Sequence, residues 1–471
     1  MRIFLLSTLS LLLFNACTLI PKYEQPDSPV PSNLPKYSAE TQSTEGKSEP
    51  VSLPWREFIQ DGKLQQILEI ALENNRDLKI AAANVEQMRA LYGIQQGELY
   101  PAFYAGGGGG KAKSSKDFLM PGQARRGKQF QADLSLLSWE IDFFGKIRSL
   151  SEKALQEFFA TEQAKRGVQI MLLSSVAGAY LNLAADRESL KLSEDTYESQ
   201  KESFELVERQ YKEGLATELD LQRAKIPCES ARADIARFKR QLAISENALR
   251  FLLGSEIPED LLAADLSEVL ESADFASELS SEVLLQRPDI LAAEHQLLAA
   301  YANIGAARAA FFPNISLTGA LGYASTDLSN LFKSGRSTWS FAPQIAMPIF
   351  DKRVWAAHRF TKAQRETVLL QYERAIQNAF RETADALASV VTIAEQTEAQ
   401  GALVEALLKT YELAKFRYEK GIDNYLSVLD AQRSLFAAQQ GLISLKLAER
   451  VSKLQLYAAL GGGALPENTE E

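Results

Sequence analysis

The stretch from Phe380 to Gly421 reads FRETADALASVVTIAEQTEAQGALVEALLKTYELAKFRYEKG. Phe380, Leu387, Ala394, Gly401 and Leu408 recur every seven residues, and Thr383, Val390, Thr397, Val404, Tyr411 and Tyr418 follow three positions later with the same period. Apolar or small residues at two positions per heptad predict a coiled-coil seam. The helix expected from Thr361 to Lys420 would be about 90 Å long at 1.5 Å rise per residue. An ordinary core helix averages about 11–12 residues, so this is another kind of element. After Gly421, Leu435, Ala438, Leu442 and Leu445 carry the seam back along a return helix.

Working outward, the same pattern is found earlier in the chain. Tyr211-Lys212-Glu213-Gly214 aligns with Tyr418-Glu419-Lys420-Gly421, and Leu253-Gly254 with Leu460-Gly461, at an offset of 207. Asn75-Arg76-Asp77-Leu78 aligns with Arg287-Pro288-Asp289-Ile290, and Tyr100-Pro101-Ala102-Phe103 with Phe312-Pro313-Asn314-Ile315, at an offset of 212. Phe144-Gly145-Lys146 aligns with Phe350-Asp351-Lys352 at 206, which predicts a longer loop in the first copy. This is the signature of two tandem repeats. Each copy reads as helix, two strands, long helix, turn, long helix. The chain is expected to divide into a signal peptide (1–16), a tether (17–60), a first repeat (61–257), a linker (258–282), a second repeat (283–463) and a tail (464–471).

Between the helices the period changes from 3.5 to 2. Ile315, Leu317, Gly319, Leu321 and Tyr323 alternate with small or polar residues, as do Trp339, Phe341, Pro343, Ile345 and Met347. Phe130, Ala132, Leu134 and Leu136 do the same in the first copy. Strands of about ten residues with one apolar face are long enough to cross a membrane when tilted. A bilayer tolerates no open sheet edge, so four strands cannot span alone. Eight strands from two chains would be filled by side chains, so an aqueous channel needs at least three chains. The competing reading is a soluble four-stranded sheet packed on helices.

Composition removes several classes of function. The 471 residues carry 51 Lys plus Arg against 61 Asp plus Glu, a net charge of −10, which argues against nucleic acid as a partner. With two histidines and two cysteines, a His- or Cys-based metal centre is not expected, and His295 and His358 stand in no nucleophile context. His295 reads as a solvated helix residue. Gly106 to Gly110 followed by Lys111 imitates a phosphate loop, but Ala105 and Ala112 stand where that motif needs Gly and Ser or Thr. Glycine within a strand is the better reading. Lys111, Lys113, Lys116, Arg125, Arg126 and Lys128 make the adjoining hairpin tip basic, either as a solvated loop or as a contact for anionic surface lipid. No cofactor and no enzymatic constellation are indicated.

At the N-terminus, Met1-Arg2, an apolar run from Ile3 to Phe14, and Ala16-Cys17 resemble a bacterial lipobox, with Cys17 as the lipidation site. Phe14 stands where that motif usually has Leu. The alternative is an ordinary signal peptide. In the lipobox pattern, Thr18 in place of Asp implies sorting to the outer membrane. Cys228 is then the one remaining cysteine and reads as a packed thiol. Residues 18–54 hold seven prolines and read as an extended tether or wrapping segment.

Arg417-Tyr418-Glu419-Lys420-Gly421-Ile422-Asp423-Asn424-Tyr425-Leu426-Ser427-Val428-Leu429-Asp430-Ala431-Gln432-Arg433-Ser434-Leu435 strongly resembles the periplasmic end of TolC-type outer-membrane efflux proteins. Ser138-Trp139-Glu140-Ile141-Asp142-Phe143-Phe144-Gly145-Lys146 and Ala310-Phe311-Phe312-Pro313 resemble them too, and the lipobox points to the OprM/NodT-like lipoprotein branch. The resemblance runs from about Leu64 to Gly463. It implies a mixed α and β fold in which a long coiled-coil α-helical barrel continues into a transmembrane β-barrel, with four strands per chain and twelve per homotrimer. It implies an outer-membrane, lipid-anchored duct of a tripartite efflux system, with a periplasmic adaptor protein and an inner-membrane efflux pump as partners. By the same resemblance, Leu426 and Asp430 would line a periplasmic aperture. Arg417 and Tyr418 would tie it closed, and Asp220 is a possible partner from the first copy. On the residues alone, Asp430 is a solvated helix carboxylate. A poreless periplasmic coiled-coil scaffold or tether is the alternative function; it would not need alternating strands at matching places in both copies.

Overall fold

A computed structural model of the chain describes residues 18–35, 37, 54–115, 117, 119–122, 124–269 and 280–462. In chain order its elements are α1 (Trp55–Phe58), α2 (Gly62–Asn74), α3 (Arg76–Gly97), β1 (Phe103–Lys113), β2 (Arg126–Glu140), α4 (Lys146–Lys212) and α5 (Glu218–Leu253), followed by α6 (Pro288–Ala309), β3 (Asn314–Ser325), β4 (Ser337–Ala346), α7 (Lys352–Glu419) and α8 (Tyr425–Ala459). The order helix, strand, strand, long helix, helix occurs twice. The described residues fall into two compact units, one drawn from 1–27, 84–162 and 292–372 and the other from 28–83, 163–291 and 373–471. Each unit takes residues from both expected repeats.

The first unit holds one antiparallel sheet in the order β1-β2-β3-β4. Its register gathers the apolar residues. Ala105 lies opposite Leu134, Leu134 opposite Leu321, and Leu321 opposite Trp339; Phe103, Leu136, Gly319 and Phe341 form the next row. Directly opposed residues share a face, so these rows make one apolar side, while Gly106, Asp133, Gly322 and Thr338 lie on the other. The apolar side is uncovered within the chain, with Leu321 and Phe341 each 64% and Trp339 79% exposed. The first copy's extra length is mainly not in its loop, contrary to expectation. β2 has 15 residues and β4 has 10, and β2 carries a register shift between Leu136 and Trp139. A bulge absorbs residues without lengthening the turn.

In the same unit, the N-terminal segment is held against α6 by specific contacts. Arg308 Nη1 donates to the Leu19 carbonyl at 3.2 Å, and the Tyr23 hydroxyl donates to Glu294 Oε1 at 2.8 Å. A Cβ on Gly305 would come 2.6 Å from Ile20 Cγ1, so the glycine lets this segment lie against α6. His295 is not solvated as expected. It is half-buried, its Nδ1 lies 2.7 Å from Gln156 Oε1, and burial holds its imidazole pKa below the usual value.

The second unit has the larger core, formed by Phe58, Ile67, Leu68, Ala71, Val176, Tyr180, Leu249, Leu253 and Tyr457. Phe58 stacks on Tyr457 with ring centroids 4.3 Å apart. Trp55, Phe58 and Ile59, expected in the tether, are buried in this core, and so are Leu261, Leu266 and Val269 of the expected linker. Burying such side chains is favourable by about 1.5–3 kcal/mol each, which draws the connecting segments inward. Buried Arg287 donates to Asp289 and Glu382 at 2.8 and 2.9 Å and to the Ala459 carbonyl at 2.7 Å. Cys228 is half-buried, and burial pushes its thiol up, as suits a packed thiol.

The seam of α7 is half as expected. Thr383 is buried and Val390, Thr397, Val404, Tyr411 and Tyr418 are half-buried. Of the other expected row, Phe380, Leu387 and Gly401 are half-buried, as are Ile393, Gln400, Leu407 and Ala414 one residue earlier, where Ala386 is buried. Ala394 and Leu408 are exposed. Gln400 disguises the row: its Nε2 donates to the Ala438 carbonyl at 2.9 Å, so a polar residue occupies a seam position.

Candidate functional site

The residues carrying the strongest motif form two helix turns with one geometry. α4 stops where Gly214 takes φ +75°, and α7 where Gly421 takes φ +70°. Only glycine adopts this left-handed conformation at little cost. The Leu215 amide reaches back to the Gln210 carbonyl at 2.8 Å, and the Ile422 amide to the Arg417 carbonyl at 2.9 Å. Together with the Gly214–Tyr211 and Gly421–Tyr418 bonds, these close a Schellman motif at each helix end. Three residues after each glycine a capping residue starts the return helix, Thr217 for α5 and Asn424 for α8. The turn signature is therefore glycine, apolar residue, any residue, cap.

Side chains then differentiate the turns. Arg417 grips Asp423 with two charge-assisted bonds, Nε to Oδ2 at 2.6 Å and Nη2 to Oδ1 at 3.0 Å. This pairing holds the Asp423 carboxyl below the ordinary range and raises the guanidinium. The Asp220 carboxylate is bound by the Thr217 hydroxyl at 2.6 Å and amide at 3.1 Å, a capping box that lowers its pKa. Tyr418 packs against Tyr425 with centroids 5.1 Å apart. Burial pushes the Tyr418 phenol up, and the Asp220 carboxylate adds to that shift.

Of the residues expected from sequence, the structure brings Tyr418 and Asp220 within electrostatic reach. It gives Arg417 to Asp423, which the sequence reading did not single out; among the described residues, no ion pair joins Arg417 to Asp220. Leu426 is 52% exposed and Asp430 is exposed, one turn apart on α8. Val428, Leu429, Ala431 and Gln432 turn the other side of α8 into the chain, so Leu426 and Asp430 share a free face. At the same offset, Leu219 stands in the place of Leu426, and Arg223 in that of Asp430. Leu215, Leu219 and Ile422 are also exposed and were missed. The repeated glycine–apolar–any–cap spacing was the signal that could have found the turns. Cys17 lies outside the described residues.

Comparison with known proteins adds an independent finding. A family model described as outer membrane efflux protein matches residues 67–255 and 279–462. The chain is 44% identical over 456 residues to the toluene efflux pump outer membrane protein TtgI of Pseudomonas putida, covering 96% of this chain and 97% of that one. It is 39% identical over 455 residues to the cation efflux system protein CusC of Escherichia coli O157:H7, covering 96% and 97%. Its fold superposes on the crystal structure of the open state of the Neisseria gonorrhoeae MtrE outer membrane channel with a TM-score of 0.85 at 35% identity, covering 95% of this chain and 99% of that one.

Proposed function

This chain belongs to the outer membrane efflux protein family, and from that premise we propose that it is the passive exit duct of a tripartite efflux system, closed at its helix turns. The observation that carries the proposal is the sheet: four antiparallel strands with one uncovered apolar face and free edges at β1 and β4. Water tolerates neither an apolar face of this size nor an open edge well, and lipid tolerates the face but not the edge. Copies of the chain resolve both demands by pairing β4 of one with β1 of the next. Three copies give twelve strands, enough to enclose water. The exposed Ala394 and Leu408, beside the seam α7 uses within the chain, supply a second apolar row for a neighbouring copy.

In this assembly the duct does no chemistry. Leu426 forms an apolar ring at its narrow end and Asp430 an acidic one, and the Arg417–Asp423 tie fixes the turn that carries them. The exposed Leu215, Leu219 and Ile422 give a periplasmic adaptor an apolar landing surface, and the adaptor links the duct to an inner-membrane pump. Acylation of Cys17 anchors the chain to the outer membrane. Relatives at similar identity are named for toluene and for cation efflux, which fits a path whose selectivity is set by its partners. Native mass spectrometry of the protein in detergent tests the assembly. Three chains per particle are expected, and a stable membrane-inserted monomer would contradict it.

A further inference from the structure

The apolar face of the sheet changes chemistry at one end. On β1 this face runs Phe103, Ala105, Gly107, Gly109 and then Lys111 and Lys113. On β2 it runs Leu136, Leu134, Ala132, Phe130 and then Lys128 and Arg126. The face is fixed by Phe130, whose ring lies over Gly109 so closely that a Cβ there would come 2.5 Å from Cδ1. Lys111 is directly opposite Lys128, and Lys113 directly opposite Arg126. At the same height the other face carries Gly108, Gly110 and Ala112 against Gln131, Gln129 and Gly127, with no charge. All four cations therefore belong to the apolar side.

Like charges directly opposite one another destabilise an antiparallel pair. The chain does not compensate them: among the described residues, no ion pair reaches any of the four. Of the acids in this hairpin, Asp133 is on the other face, Asp117 accepts from the Ser115 hydroxyl at 3.3 Å, and Glu140 pairs with Lys146. The position of the cations identifies what does compensate them. From Ile315 to Tyr323 the apolar face of β3 extends over eight residue steps, about 26 Å along the strand and about 20 Å when tilted, close to the apolar band of about 25 Å in outer-membrane barrels. Tyr323 lies opposite Ala132, Phe130 is the next apolar residue of β2, and Lys128 follows it. The cations thus start where an aromatic girdle ends, at headgroup level.

We propose that Lys111, Lys113, Arg126 and Lys128 form a lipid-facing clamp for the phosphate groups of outer-leaflet lipid. The proposal rests on the reading of the strands as membrane-spanning. Because the cations share the apolar face, they bind lipid rather than set the ion preference of the duct. Arg126 offers a fork for two phosphate oxygens, and the lysines supply point charges.

The test uses the full-length protein in nanodiscs of phosphatidylcholine doped with diphosphoryl lipid A. Native mass spectrometry should show lipid A retained by the wild type. Retention should fall roughly tenfold when Lys111, Lys113, Arg126 and Lys128 are all replaced by Gln, and should weaken between about 0.05 and about 0.5 M salt. The paired variants Lys111→Gln/Lys128→Gln and Lys113→Gln/Arg126→Gln should each lose part of it. Since these changes remove like-charge pairs, stability in neutral detergent should not fall. Equal retention by the variants, or equal retention of dephosphorylated lipid A by the wild type, overturns the clamp. Conductance in planar bilayers separates the two readings. A wild type that conducts but holds no lipid A sinks the clamp alone, and a wild type that neither inserts nor conducts sinks the duct and the clamp together.

Discussion

Replacing Gly322 with Ala tests the register of the sheet. Gly322 of β3 lies opposite Asp133 of β2 and Thr338 of β4. A Cβ at this position would run into the Ala132 carbonyl oxygen and come 2.6 Å from Asp133 Cα and 2.7 Å from Asp133 Cβ. Two of these are backbone atoms, in a strand paired on both sides, so the obstacle cannot rotate away. Overpacking of this kind costs about 1–3 kcal/mol, which shifts the folding equilibrium roughly 5- to 150-fold. Gly319 on the same strand is the internal control. Its added Cβ would lie 3.4 Å from the Ser340 carbonyl oxygen, so Gly319→Ala should be near neutral. Urea titrations in detergent, followed by fluorescence of Trp139 and Trp339 in the sheet, should give a lower midpoint for Gly322→Ala and an almost unchanged one for Gly319→Ala. Equal midpoints for the two variants would refute the register.

Four further outcomes are expected. Arg417→Ala removes the bidentate tie to Asp423 and should raise single-channel conductance; an unchanged value would show that the tie does not restrain the turn. The same tie fixes a pH window: Asp423 has a lowered pKa in the folded chain, so its contribution is present above the ordinary carboxylate pKa of about 3.9 and is lost as pH falls through the lower folded value. Conductance should therefore stay flat from neutral pH to about 4 and rise only below it. Phe58→Ala deletes a fully buried ring stacked on Tyr457 and should cost about 3–5 kcal/mol in thermal melts of the helical signal; a loss under about 1 kcal/mol would mean that this core is not a cooperative unit. Cys17→Ser should abolish acylation of the mature N-terminus by mass spectrometry, and a wild-type chain lacking acyl groups would remove the anchor from the account.

The long helices and the strand pattern were legible because both rest on periodicity, which a sequence displays directly. The seam was legible to within one residue. Thr383, Val390, Thr397, Val404, Tyr411 and Tyr418 identify themselves, but Gln400 disguises the row beside Phe380, Leu387 and Gly401, and Ala394 and Leu408 are exposed. A helix that also has small residues on a second flank shows two overlapping heptads, and composition does not say which one its own chain uses. The turns were legible as motifs and not as geometry. Arg417 and Asp423 are six residues apart, and they meet because Gly421 reverses the chain between them. His295 looked solvated because Gln156, its partner, is 139 residues away in the sequence. The burial of residues in the expected tether and linker was hidden for a related reason. Proline and acidic residues dominate their composition, while a few apolar residues, Trp55, Phe58, Leu261 and Leu266, decide where they pack.

The duct proposed for this chain is water-filled and narrows at Leu426 and Asp430. Single-channel recording of the purified full-length protein in planar bilayers tests it most directly. The wild type should give small, cation-preferring conductance steps, since carboxylates around an axis attract cations and an apolar ring beside them disfavours water. Leu426→Ala/Asp430→Ala should give larger steps with weakened cation preference. A wild type that produces no steps, or a double variant identical to it in conductance and ion preference, would contradict the account and leave Asp430 a solvated helix carboxylate.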